Sequence, residues 1–235
     1  MNIGSYTSGK ICVAWNAAGV RTGRWYIVTP KELNKSMTIL LDGLLADTGF
    51  SKKRIGRLIR RENGCQQFFV FYFTGMRFSN GCSLTGNLMF SFPEVDKLTA
   101  RFLGEEYDKL MSTGLKPFYA VVPGQPILKY KYYFEEPLEQ FVEMVANDFR
   151  LYAIPFFEQF NTLSKLEASF DQMLKEGTGM KFSVRTGKQG KGGGCCIAAA
   201  LCLLEEWEKL RLFLKETDLL LDEHRERIDE YVSDH

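Results

Sequence analysis

Two Asn-Gly pairs, Asn63-Gly64 and Asn80-Gly81, bracket the most constraining stretch of this 235-residue chain. Asn-Gly accepts the positive backbone angles of a tight hairpin, so each pair marks a reversal between antiparallel strands. Between them Phe68, Phe69, Val70, Phe71, Tyr72 and Phe73 follow one another without a polar interruption. A run of that kind is expected of a central strand covered on both faces. Upstream, Arg54–Glu62 reads as a basic strand. Downstream, Cys82, Leu84, Leu88, Phe90 and Phe92 share one face while Ser83, Thr85, Asn87 and Ser91 take the other. Such alternation describes a half-exposed strand, and the three strands together form an antiparallel meander.

Helical signals surround the meander. Thr29-Pro30-Lys31-Glu32 is a capping box with proline at the first helical position, and Leu33, Met37, Leu40, Leu41, Leu44 and Leu45 repeat behind it at helical spacing as far as Gly49. That cap lies upstream of Met37, so the residues before Met37 belong to the fold. Within residues 1–28, Lys10–Trp15 and Arg21–Val28 are strand candidates. Pro93 opens a helix expected to close near Gly114, and Phe118–Val122 with Ile127–Phe134 reads as a further hairpin. From Pro137 an apolar stripe runs through Phe141, Val145, Phe149, Phe156 and Phe160, with Pro155 placed to kink it. Ser164–Lys175 forms a shorter helix, and Cys195–Val232 a helical hairpin or one long helix. These elements predict an α+β class: an antiparallel β-meander of about five strands packed against helices, with a C-terminal helical hairpin. The expected organisation is an α+β domain over 1–176, a glycine-rich connector over 177–194, and the hairpin over 195–235, packed on the same domain.

Composition narrows the chemistry. The two histidines, His224 and His235, both fall in the last dozen residues, which leaves the body of the fold without the commonest general base. A formal charge of +1 gives no whole-molecule case for nucleic acid or membrane, so nucleic acid is an unexpected partner. No apolar run reaches bilayer length and no signal-peptide core is found; a cytoplasmic location is expected. Six cysteines occur without a C-x-x-C pair and read as buried thiols rather than a disulfide framework. No metal or cofactor is called for by any spacing in the chain.

Three groups of residues are candidates for a site. The tract Gly187–Gly194 leads into a helix and carries Lys188 and Lys191; backbone N–H groups at a helix start, near Gly194, suit an anion. It lacks the order of a phosphate loop, and a simple connector explains it more economically. Cys195, followed by Cys196, sits where a helix dipole would favour a thiolate, but the small residues after it, Ala198, Ala199 and Ala200, argue for close helix packing instead. Lys52, Lys53, Arg54, Arg57, Arg60 and Arg61 crowd one strand region. They fit an acidic partner, with Arg57, Arg60 and Arg61 the named contacts; a solvated edge strand protected by its charges accounts for them as well. Glu135, Glu136 and Glu139 complement a helix dipole, and Glu205, Glu206 and Glu208 around Trp207 mark a helix–helix elbow.

The turn Gly49-Phe50-Ser51-Lys52-Lys53 after a helix, the aromatic strand Phe68–Phe73, and Tyr152-Ala153-Ile154-Pro155-Phe156-Phe157-Glu158-Gln159-Phe160 form a pattern. Over residues 33–175 it resembles a bacterial family of uncharacterised α+β proteins, in which a helix precedes an antiparallel meander and an aromatic helix follows. Ala198–Leu214 is similar to one helix pair of the short helical repeats. The resemblance implies a fold and transfers no activity. Two functions are therefore expected: a non-catalytic interaction protein of the adaptor or toxin-neutralising type, or a small-ligand or phosphate-binding enzyme using Gly187–Gly194.

Overall fold

The Thr29 hydroxyl accepts the Glu32 N–H at 3.2 Å and the Glu32 carboxylate accepts the Thr29 N–H at 2.8 Å, closing the capping box read from the sequence. It starts α1 (Pro30–Leu44), whose Leu33, Met37 and Leu41 face inward. The computed structural model describes residues 11–13, 26–75, 80–107, 112–123, 130–176, 181–182 and 192–234. Ahead of α1, β1 (Ile11–Val13) and β2 (Tyr26–Val28) pair as a separate two-stranded ribbon.

The main sheet holds β3 (Ser51–Arg54), β4 (Arg57–Glu62), β5 (Cys65–Gly75), β6 (Gly81–Ser91), β7 (Gly114–Pro117), β8 (Lys131–Tyr133) and β9 (Lys181–Phe182). Their order is β3-β4-β5-β6-β7-β9, with β8 also paired to β6, and every pairing is antiparallel. The helices are α2 (Pro93–Leu103), α3 (Leu138–Asp148), α4 (Ile154–Glu158), α5 (Leu163–Glu176), α6 (Gly192–Leu203), α7 (Trp207–Glu216) and α8 (Asp222–Ser233). The class is α+β with an antiparallel sheet; the meander β4-β5-β6 turns at Asn63-Gly64, with φ of 50° and 77°, whereas Gly81 is not the turn expected of it but the first residue of β6. At the C-terminus α6 and α7 form the helix pair, turned by Glu205 at a φ of 58°, and α8 is added to it.

Several boundaries differ from the sequence expectation, each for a local reason. Arg54–Glu62 is two strands, because Gly56 at a φ of 73° reverses the chain. Its carbonyl accepts the Phe71 N–H at 2.9 Å, and a Cβ there would lie 2.6 Å from the Phe71 carbonyl oxygen. The helix from Pro93 stops at Leu103 rather than near Gly114, since Gly104 takes the left-handed conformation and ends it. Phe118–Val121 is a 3₁₀ turn, so β7 precedes it and β8 pairs with β6 instead of forming the expected hairpin. Gly192 and Gly193 with Gly194 belong to α6 and not to a connector. Before Pro155 the chain widens into a π turn over Phe149–Ala153.

The core lies on one side of the sheet. Phe69 is its centre: its ring packs 5.1 Å from Phe71, 5.1 Å from Phe118 and 4.9 Å from Phe149. Phe90 stacks on Phe160 at 5.0 Å, and Phe50 meets Phe149 edge-on at 5.0 Å. Gly86 makes room for this cluster, because a Cβ there would stand 2.9 Å from Phe69 Cε2. At the end of β6 a buried polar knot joins three elements. The Ser91 hydroxyl donates to Asp96, the Thr113 hydroxyl donates to Asp96 Oδ1 at 2.8 Å, and the Phe92 N–H donates to Thr113 Oγ1 at 2.8 Å. Burial raises the Asp96 carboxyl from its ordinary 3.8 to about 6, against the two hydrogen bonds that lower it.

Candidate functional site

Side chains alternate along a strand, and cross-strand partners share a face. The register pairs Leu58 with Phe69, and these point into the core; Ile59 with Phe68, and Arg57 with Val70, therefore point the other way. Continued across the sheet, one outer row runs Ser51, Ile59, Phe68, Met89 and Leu115. The next runs Arg54, Arg57, Val70, Asn87 and Pro117. Beyond it Tyr72 stands opposite Thr85, and Lys131 opposite Ser83. None of these apolar residues belongs to the hydrophobic core cluster. The continuous aromatic run is covered unequally: on the inner face Phe69, Phe71 and Phe73 are buried, while on the outer face Phe68 and its partner Ile59 are also buried, Val70 is half-buried and Tyr72 is 45% exposed, so the outer face opens only toward Tyr72.

Tyr72 has company at its end of the sheet. Ile55, on the turn between β3 and β4, is 45% exposed, and Tyr133 of β8 is 39% exposed. Ile55 lies in the chain between Arg54 and Arg57. The Arg57 guanidinium lies 4.7 Å from the Phe68 ring centroid, and its Nε is buried with no hydrogen-bond partner among the described residues. Burial, followed by the nearby Arg54 charge, lowers the Arg57 pKa. Arg61 is exposed on the same face, and β3 at the sheet edge is exposed along all four of its residues. Lysine on such an edge opposes strand addition by another chain, so contact through the face is favoured over contact through the edge.

Register also separates the three arginines named from the sequence. Arg60 pairs with Gln67 on the inner side. Its Nε donates to Gln67 Oε1 at 2.6 Å, one terminal nitrogen donates to Glu158 Oε1 at 2.6 Å, and its guanidinium covers the Phe50 ring at 5.3 Å. With a side chain only 13% exposed, Arg60 binds β4 to α4 rather than facing a partner. Arg57 and Arg61 are brought to one surface; Arg60 is not. Ile55, Tyr72 and Tyr133 were not singled out in the sequence. Strand parity could have found Tyr72, once the register with Leu58 was known.

The glycine-tract candidates divide as well. Lys188 and Lys191 lie outside the described residues. Gly194 is buried, and a Cβ on it would lie 2.8 Å from the Leu219 carbonyl oxygen, so its smallness serves helix contact. Cys195 is fully buried, and burial pushes its thiol up to about 12, away from any reactive thiolate. Cys65, Cys82, Cys196 and Cys202 are likewise free and buried. His224 is buried at the start of α8, where its Nδ1 accepts the Leu221 N–H at 3.4 Å. His235 lies outside the described residues. Among the described residues no cluster of His, Cys, Asp or Glu has the geometry to hold a metal ion, and no helix is long and apolar enough to cross a membrane. No protein-family model, curated protein or solved structure matches this chain.

Proposed function

We propose that this chain is a bacterial, cytoplasmic interaction protein of the adaptor or toxin-neutralising kind, without a catalytic role of its own. Its working surface is the outer sheet face, and its partner is a protein presenting an acidic segment with apolar anchors. One observation carries the reading: Ile55, Tyr72 and Tyr133 are exposed and lie outside the core cluster, with Ile55 between Arg54 and Arg57 in the chain and Tyr72 two residues along β5 from Val70, the cross-strand partner of Arg57. Aromatic side chains ringed by arginine are the composition of a recognition surface, with the charges steering approach and the rings supplying contact area. Phosphate contact by Lys188 and Lys191, the alternative function, has to stand without Gly194 and Cys195, both of which are interior.

The test places a photo-crosslinking amino acid at Tyr72 in the native host, and a control at Leu151, which is 64% exposed on the helical layer. A protein adduct is expected from position 72 alone. It should disappear when Arg57→Glu and Arg61→Glu are added and weaken with rising salt, as screened charges do. Adducts to nucleic acid, or equal adducts from both positions, overturn the reading.

A further inference from the structure

A cleft of about 750 Å3 opens between α5, α6 and α7. That volume falls within the range of small-molecule sites. Its floor is apolar: Phe170, Ile197 and Leu201 are 5%, 3% and 4% exposed. Leu212 stands at the mouth, 55% exposed, as an apolar side chain with no core to enter. The rim is acidic. Lys209 Nζ lies 3.0 Å from Glu167 Oε1 and 3.5 Å from Glu206 Oε1, so its charge is already met twice. Arg225 donates to the carbonyls of Leu214 and Thr217 behind the rim. Glu216 and Asp218 line the cleft and have no ion pair among the described residues.

Apolar floor and acidic rim together define a ligand. An apolar body fills the floor and releases water from it, while a cation at the mouth meets Glu216 and Asp218. An anion of the same shape would bring like charge against the lining carboxylates Glu167, Glu216 and Asp218, faced in the lining by Lys209. We propose that this cleft binds a small amphipathic cation, with its hydrocarbon part on Phe170, Ile197 and Leu201 and its ammonium group at the Glu216–Asp218 rim. The site is independent of the outer sheet face, and neither proposal needs the other.

Calorimetric titration of the full-length protein tests it, with decyltrimethylammonium below its micelle concentration as the probe and decanoate as the anion of matched chain. Saturable one-to-one binding of the ammonium is expected, with decanoate weaker by about tenfold or more. Glu216→Gln with Asp218→Asn, both at exposed positions, should weaken the ammonium by about five- to twentyfold while leaving the melting temperature in place. Methyl resonances of Ile197, Leu201 and Leu212 should shift on titration. Equal binding of the two probes, indifference to the double substitution, or shifts confined to other methyls would overturn the proposal. Self-association that the double substitution abolishes, without ammonium binding, would assign the cleft to a second copy and overturn it too. Arg57→Glu leaves the ammonium titration unchanged, which keeps this test apart from that of the sheet face.

Discussion

The inner and outer faces of the meander are written by the same residues in alternation, yet they differ in kind. Inside, Leu58, Phe69, Phe71, Phe73, Leu84, Leu88 and Phe90 interlock with four helices' worth of aromatic side chains. Outside, Arg57, Val70, Tyr72, Thr85 and Asn87 present a mixed surface whose residues lie outside the core cluster. The inner face answers to packing, where a lost ring leaves a void. On the outer face, at Tyr72, a lost ring leaves only water. Sheet parity, not composition, decides which role a residue has.

The largest effect should come from the centre of the inner face. Phe69→Ala is expected to lower unfolding free energy by about 3–5 kcal/mol in urea titrations, whereas Tyr72→Ala, three residues away, should stay within about 0.5 kcal/mol. Comparable losses at the two positions would break the distinction between the faces.

Asp96 tests the end of the sheet, where a carboxyl sits among core residues. Its pKa rises from 3.8 unfolded to about 6 folded, so between these values the folded protein holds more proton than the unfolded chain. Stability therefore falls as pH climbs from about 4 to about 6 and stays lower above, by about 3 kcal/mol for a shift of some two units. Urea titrations at pH 4.5 and 7.5 should show this fall, and Asp96→Asn should remove this group's part of it. A slope unchanged by Asp96→Asn would show that the knot does not control it.

Arg60 and Arg61 sharpen the contrast within a single strand. Arg60→Ala leaves Gln67 and Glu158 without their donor and should cost about 2 kcal/mol. Arg61→Ala should change stability by less than about 0.5 kcal/mol. Thermal melts of the two variants side by side check it.

What the sequence made legible follows the range of the interaction that sets it. Signals complete within four residues could be read directly: the Thr29–Glu32 box, the Asn63-Gly64 turn and the proline starts of the helices. Gly56 and Gly104 were harder, since neither stands in an Asn-Gly or Pro-Gly pair; Gly56 turns where its carbonyl accepts the Phe71 N–H, and Gly104 turns at the end of α2. The β8 pairing with β6 was not legible at all, because it joins residues some fifty positions apart through register alone. The site shows the same limit. Six basic residues read as one cluster along the chain, but a strand sends neighbours to opposite faces, and Arg60 went inward to Glu158.

The π turn at Phe149–Ala153 has its own lesson about length. Proline has no N–H to offer the carbonyl one turn back, and its ring would press on that carbonyl in a regular helix. One additional residue in the turn relieves the pressure, and Leu151, 64% exposed, is the position that swings to solvent. Phe149 and Ala153 stay buried on one side of that bulge and Phe156, Phe157 and Phe160 on the other. Bulge and proline are thus a matched pair. A chain shortened at Leu151 would close the turn tightly and rotate every later phenylalanine by about a hundred degrees away from the sheet, so insertions and deletions here should be less forgiven than almost any exchange of one side chain for another.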